Sequence, residues 1–490
     1  MIKILGGLLR LMLFGAFIVV GIMVVRTVGF SSRQIAIDAV EMTPLPPQAV
    51  THLAEALAQP TVSQDFEIDT LAFLRLDTFL TTSYPLVDSF LEVLPIVPFT
   101  KVLKWPGKNS KLMPILLMAH QDVVPVEEAT RNQWTVDAFA GQVGENEIWG
   151  RGAIDDKGAI IAILESIEQL LGEGYVPERT IYLSFGHDEE TGGHQGAQKV
   201  AAYFKNKGIK FEYILDEGLM ILEQALPGLE KPLAMIGIAE KGYLTLRLEA
   251  KLTEGGHSSM PPGESVIGAL SKAIKKLEER PFPAHIDGAT GALLDYVGPE
   301  LPPLTRALVA NLWLTESIIT HQLGKDPSSS AIIRTTTAPT MIEGGIKDNV
   351  MPTRASAQIN FRIIPGETIA SVTDRVKRLI DDPRIAILPV AGIGQDEPSP
   401  VSETNTFGYQ VIQKSIQQVY PEVLVAPALT VGQTDSRHFK ELSENIYRFR
   451  PIQLKREDLT RIHGINEKIS QQNLHQSIRF FRQLIQNSCL

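Results

Sequence analysis

Three short apolar runs in this chain end in acid or imidazole, and this constrains its fold more than any other feature. Ile115–Ala119 leads into His120-Gln121-Asp122, and Ile181–Phe185 into Gly186-His187-Asp188-Glu189-Glu190. Tyr213–Leu215 leads into Asp216-Glu217-Gly218. Apolar runs this short read as buried strands rather than helices. Between the first two, Ala159–Leu171 has helical periodicity and stops near Gly172 and Gly174. Strand, helix and strand in this rhythm predict an α/β unit with a mainly parallel sheet covered by helices. In such sheets ligands bind beyond the carboxyl ends of the strands. The charged groups, distant in sequence, should therefore meet at one rim. A glycine-rich loop, Trp149–Gly158, brings Asp155 and Asp156 to the start of a helix, and Arg461-Ile-His463-Gly adds a late histidine.

Each piece alone has an ordinary explanation. A His-x-Asp is most often a hydrogen-bonded surface turn, and a Glu-Glu pair a solvated loop. An Asp-Asp before a helix is most often a cap. The conjunction is different, because several acidic and imidazole groups share one rim without a matching run of Lys or Arg. Carboxylates packed together raise one another's pKa, and a metal cation relieves the repulsion. With Cys489 the one cysteine, any metal must be held by His, Asp and Glu. That donor set suits zinc, and less specifically cobalt or manganese.

A chain of 490 residues predicts two globular units plus extras. Tyr243–Lys251 alternates with period two, as a half-exposed strand does, Glu264–Glu279 reads as an amphipathic helix, and strand-like pieces return at Arg334–Met341 and Ala355–Ile363. These predict a smaller α+β unit inserted over 242–364, between catalytic parts at 31–241 and 365–490. Pro281–Ser330, rich in Pro and Leu, takes no assignment from periodicity. The formal net charge of -10 argues against nucleic acid, which needs a basic footprint.

Residues 1–30 stand apart. Ile4–Val25 is apolar except for Arg10, long enough to span a bilayer. The competing reading is a cleaved signal peptide, but Val25-Arg26-Thr27-Val28-Gly29 is a poor cleavage site. The segment is read as a single-pass anchor with the catalytic part outside the cytoplasm; cleavage would make the protein secreted.

The motifs Ala119-His-Gln-Asp-Val-Val-Pro125, Gly150-Arg-Gly-Ala-Ile-Asp-Asp-Lys-Gly158, Gly186-His-Asp-Glu-Glu-Thr-Gly192, Asp216-Glu-Gly218, Gly256-His-Ser258 and His463-Gly464 resemble those of a known family. It is the zinc metallopeptidase family of aminoacylases, carboxypeptidase S and succinyl-diaminopimelate desuccinylase. The resemblance runs from about His52 to the end. Ala331–Thr337, Gly432–Arg437 and Arg461–Lys468 look most like the branch of N-fatty-acyl-amino-acid synthase/hydrolases.

The resemblance implies two zinc ions bridged by Asp155, with His120 and Asp216 completing one site and Glu190 and His463 the other. It makes Glu189 the general acid/base and sets Asp122 behind His120 to orient its ring. It implies a cis peptide after Asp155 and a lid and dimerisation role for the inserted unit. His257 of that unit would reach an active site, often that of the partner subunit, to stabilise the oxyanion. Asn349 and Arg437 resemble substrate-holding residues; a guanidinium forks well onto a carboxylate, although Arg437 pairing with Asp435 in a loop is an equal reading of the residues alone. The implied activity is hydrolysis of an amide beside a free carboxylate, in N-fatty-acyl amino acids first and in small peptides as the alternative. A homodimer through the lid is the implied assembly.

Overall fold

A computed structural model describes residues 2–64, 67–252, 256–261, 263–390 and 394–489. The N-terminal run forms one helix, Ile2–Gly29. Its Ile4–Gly29 portion has mean hydropathy 2.6 and is long and apolar enough to cross a bilayer.

Eight strands form the main sheet, in the order Leu424–Thr430, Leu233–Glu240, Ile446–Leu454, Ile214–Leu222, Ile115–His120, Ile181–Gly186, Lys101–Trp105, Glu92–Val93. The four from Ile446–Leu454 to Ile181–Gly186 are parallel. Lys101–Trp105 and Leu233–Glu240 lie antiparallel beside them, and Leu424–Thr430 pairs parallel with the latter, so the sheet is mixed. The reason lies in the connections. Leu222 pairs with Leu233 across a short loop, which leaves no room for the crossover helix that a parallel return needs. Strands Ile115–His120 and Ile181–Gly186 are buried along their whole length, as their unbroken apolar sequences require. Helix Lys157–Gly172 covers them and packs against Gln471–Ser488 and Ala49–Leu57.

A second hydrophobic core sits on a four-stranded antiparallel sheet, in the order Thr336–Gly344, Arg354–Ile363, Gly242–Lys251, Ile385–Pro389. Leu244, Leu246, Leu248 and Ala250 point into it with the period of two read from the sequence, meeting Val266, Leu270, Ala273 and Leu277 of helix Val266–Glu279. This core reaches past Ile364, through Val372, Val376 and Ile380 to Ile385. The unassigned Pro281–Ser330 stretch forms helices Gly288–Val297, Pro303–Val309 and Leu312–Leu323. Ala289, Leu293 and Leu294 of the first join the main core. An insert bounded at 242 and 364 therefore includes a helix of the main core and omits a helix and strand of its own. Periodicity shows that an element has an apolar face, not which core that face meets.

Candidate metal centre

His120 ends its strand in register with Gly186, so its ring and the His187–Glu190 turn leave the sheet side by side. Asp122 joins the two. His120 Nδ1 lies 2.9 Å from the Asp122 carbonyl oxygen and 3.4 Å from its Oδ1. The same carboxylate accepts the Glu189 and Glu190 amides at 3.1 and 3.0 Å, and the Ser63 hydroxyl at 2.5 Å. One residue thus meets the imidazole through its carbonyl and holds both glutamate amides with its buried carboxylate.

Asp155 is brought in by a second buried acid. Glu467 Oε1 accepts the Ile154 and Asp155 amides at 2.8 and 3.1 Å, and its Oε2 pairs with Arg151 at 2.7 Å. Arg151 also donates to the carbonyls of His463 and Gly464 at 3.2 and 2.9 Å. Loop and tail are therefore tied together. The Asp155–Asp156 peptide is cis. Asp155 Oδ1 lies 2.9 Å from His120 Nε2 and Oδ2 lies 3.3 Å from His463 Nε2, which is also 3.3 Å from Glu190 Oε1. Each oxygen of one carboxylate thus faces a different imidazole.

Two sets of donors result. The nearest donor atoms of His120, Asp155 and Glu190 lie within 4.8 Å of one another, and so do those of His120, Glu189 and Glu217. Burial, reinforced by Glu190, Glu217 and Asp435 and opposed by His120, holds the Glu189 carboxyl well above the ordinary range. Burial does the same to Glu217 despite Arg450. The carboxylates of Asp155 and Glu190, each 3.3 Å from its Nε2, push His463 up to about 10. Burial disfavours the charge of Asp155, yet Arg450, then His120 and His463, keep it well below its usual range. The rim is therefore short of positive charge. Among the described residues, Glu190 Oε1 and both Asp156 carboxylate oxygens are buried without a hydrogen bond. Imidazole and carboxylate donors this close, with the Glu190 Oε1 acceptor unbonded among them, fit a divalent metal of the zinc type.

Not every residue singled out in the sequence joins the cluster. Asp216 is buried beside it, with Oδ1 on the Glu217 amide at 3.0 Å and Oδ2 on the Ser436 amide at 2.8 Å. Glu217 is the neighbour that enters the second donor set. Arg437 lies 4.0 Å from Glu189 and donates to the carbonyls of Thr434 and Gly192 at 2.9 and 2.6 Å, while its buried Nε donates no hydrogen bond among the described residues and has Asp396 Oδ2 at 3.8 Å. Among the described residues its ion pairs are with Glu189 and Asp396 and none is with Asp435. His257 lies on the second body, in a two-residue strand paired with Val350–Met351 beside Asn349. It is exposed, its Nδ1 is 2.8 Å from Ser259 Oγ, and neither it nor Asn349 hydrogen-bonds to the cluster.

Arg450 was not foreseen. It comes from Ile446–Leu454, contacts Asp155, lies 2.5 Å from Glu217, and has Nε 3.5 Å from Asp156. The sequence showed no basic run near the acidic motifs because this cation arrives on a separate strand. A signal was present: Arg448 and Arg450 alternate within an otherwise apolar run, and a buried arginine requires an acid.

The mixed sheet with an acidic, imidazole-bearing rim at its strand ends defines a metal-dependent hydrolase. The chain belongs to peptidase family M20/M25/M40, whose description it matches over residues 116–487. It is 41% identical to Probable carboxypeptidase S-like 2 of Dictyostelium discoideum over 95% of this chain and 91% of that protein. It is 38% identical to the human N-fatty-acyl-amino acid synthase/hydrolase PM20D1 over 89% of this chain and 87% of that one. Its fold is that of an M20 family metallo-carboxypeptidase from Sulfolobus solfataricus, with TM-score 0.64 and 20% identity over 90% of this chain and 99% of that chain.

Proposed function

We propose that the chain hydrolyses N-fatty-acyl amino acids to fatty acid and amino acid, and slowly rejoins the two when both are abundant. The observation that carries this reading is Asp155, whose two oxygens face His120 and His463 with Glu189 and Glu190 alongside. His120, Asp155, Glu190, Asp216 and His463 would hold two ions, zinc in the first instance and cobalt or manganese in its place. Such ions, when bound, polarise the amide carbonyl and make water acidic near neutral pH. Glu189 takes the proton of the attacking water and returns it to the leaving nitrogen; its burial supports this, because a carboxyl with a raised pKa both accepts and releases a proton near neutrality. Asp122 keeps the His120 ring and the Glu189 backbone in register.

Arg437 is the clamp for the substrate's carboxylate, using the Nε that donates no hydrogen bond and faces Asp396 only at 3.8 Å. Asn349 holds the same substrate from the second body. That body acts as lid and dimer contact, and His257 of a partner lid stabilises the oxyanion. The Ile4–Gly29 helix anchors the chain as a single span with the catalytic part outside the cytoplasm; cleavage after it would give a secreted form. Identity of 41% to a carboxypeptidase S-like protein favours a second reading, cleavage of small peptides by the same proton chemistry.

The test is a long-chain N-acyl amino acid compared with its carboxamide on the zinc-loaded chain. Cleavage of the acid and not of the amide is expected. Equal cleavage overturns the carboxylate clamp common to both readings.

A further inference from the structure

The body touches the N-terminal helix in a definite order. Arg306 donates to the Phe30 carbonyl at 2.5 Å, Arg26 donates to the Ala310 carbonyl at 3.1 Å, and Asn311 Nδ2 lies 3.2 Å from Thr27 Oγ1 and 3.3 Å from the Met23 carbonyl. As the body chain advances from 306 to 311, its partners move back along the helix from 30 to 23. Helix Pro303–Val309 thus runs down alongside the end of the apolar segment and turns at Asn311, which is fully buried there.

The depth of that turn follows from helix geometry. At 1.5 Å per residue, Met23 lies about 29 Å along the axis from Ile4, close to the thickness of a hydrocarbon layer, about 30 Å. If the helix spans a membrane, as the reading above has it, Asn311 meets it where hydrocarbon gives way to headgroups. The next helix, Leu312–Leu323, starts at that level. Trp313 is 52% exposed, Leu314 48% and Ile318 58%. With Ser317 and His321 these residues share one face at helical spacing. The single acid of the helix, Glu316, points away and accepts the Ile286 amide at 3.0 Å. Single exposed apolar residues are ordinary; these are set apart by a depth that the Asn311 contacts fix. Tryptophan, with an apolar ring and one polar edge, is a residue of the membrane interface.

We propose that the Asn311 turn and the start of helix Leu312–Leu323 form a second membrane contact, with Trp313 and Leu314 inserted among the lipids around the span. The contact seats the catalytic body on the bilayer instead of leaving it hanging from a tether. This rests on the span reading, and the experiment separates the two.

Full-length protein is reconstituted into phosphatidylcholine vesicles, and into vesicles whose phosphatidylcholine is brominated near the headgroup end of the acyl chains. Trp313→Phe supplies, by difference, the emission of that residue. The expected result is retention in the vesicles at high pH, a several-fold loss of the Trp313 emission in brominated vesicles, and little quenching by iodide in the water. Retention with unchanged Trp313 emission overturns the second contact and leaves the span standing. Shielding from both bromine and iodide shows protein over the patch and also overturns it. Release from the vesicles at high pH overturns the span, and the depth argument with it.

Discussion

The backbone amide of Glu190 donates to Asp122 Oδ2 at 3.0 Å, so the acid behind the His120 ring also sets the start of the acidic turn. Asp122→Ala keeps the carbonyl that meets the His120 ring at 2.9 Å but removes the carboxylate 3.4 Å from it and frees the Glu189 and Glu190 amides. Outer carboxylates of this kind are worth on the order of 10–100-fold in metal affinity, and a comparable loss is expected in competition with a zinc chelator. Wild-type affinity would show that the ring and the turn are held without Asp122.

Glu189 is raised well above the ordinary carboxylate range, by burial first. A base works in its deprotonated form, so kcat/KM should fall as pH drops through that raised value, with the acid limb nearer neutrality than for an exposed glutamate. Glu189→Gln should cost turnover by roughly 10²–10⁴-fold while leaving the metal content unchanged. Loss of metal in this variant would make Glu189 a ligand.

Glu467 holds three groups: the amides of Ile154 and Asp155 and the Arg151 guanidinium. Glu467→Ala leaves a buried cation and two amides unpaired. Removing one partner of a buried pair costs about 3–5 kcal/mol, which urea unfolding of the zinc-free protein should register. The Arg151 bonds to His463 and Gly464 also loosen, so metal content should fall. An unchanged unfolding midpoint would contradict the tie between loop and tail.

Burial lowers Lys241 from 10.5 to about 7, and its ammonium donates to the carbonyls of Ala331 and Arg334 at 2.8 and 2.9 Å. Between pH 7 and 10.5 the unfolded chain binds this proton and the folded chain does not, so this residue's contribution to stability rises with pH across that window. The slope approaches about 1.4 kcal/mol per pH unit. Denaturation of Lys241→Met against the parent should show a difference that changes with pH there and is flat below pH 7. A parallel pair of curves would contradict the lowered value.

The strand ends were legible in the sequence because a buried strand must stop where charge begins. His120 and Glu190 come together for that reason, and Asp155 joins them from the glycine-rich loop that Glu467 holds. Glu217 was hidden by adjacency: in Asp216-Glu217 both acids reach the rim, and composition does not say which one faces His120. Arg450 was hidden by distance, although the alternation of Arg448 and Arg450 in a buried strand called for acids, met by Glu240 at 3.0 Å and by Glu217 at 2.5 Å. The second body's strand Gly242–Lys251 was legible from its period of two, whereas its limits were not, because helix Gly288–Val297 joins the other core. His257 and Asn349 depend on how two bodies or two subunits meet, which no local pattern carries.

The most direct test of the account compares kcat/KM of the zinc-loaded full-length protein for long-chain N-acyl phenylalanines and for unblocked dipeptides ending in phenylalanine. Each buried methylene is worth about 0.8 kcal/mol, so the account predicts that acyl substrates are preferred and that the preference grows with chain length. A dipeptide cleaved faster than every acyl amino acid would contradict it and make the protein a carboxypeptidase.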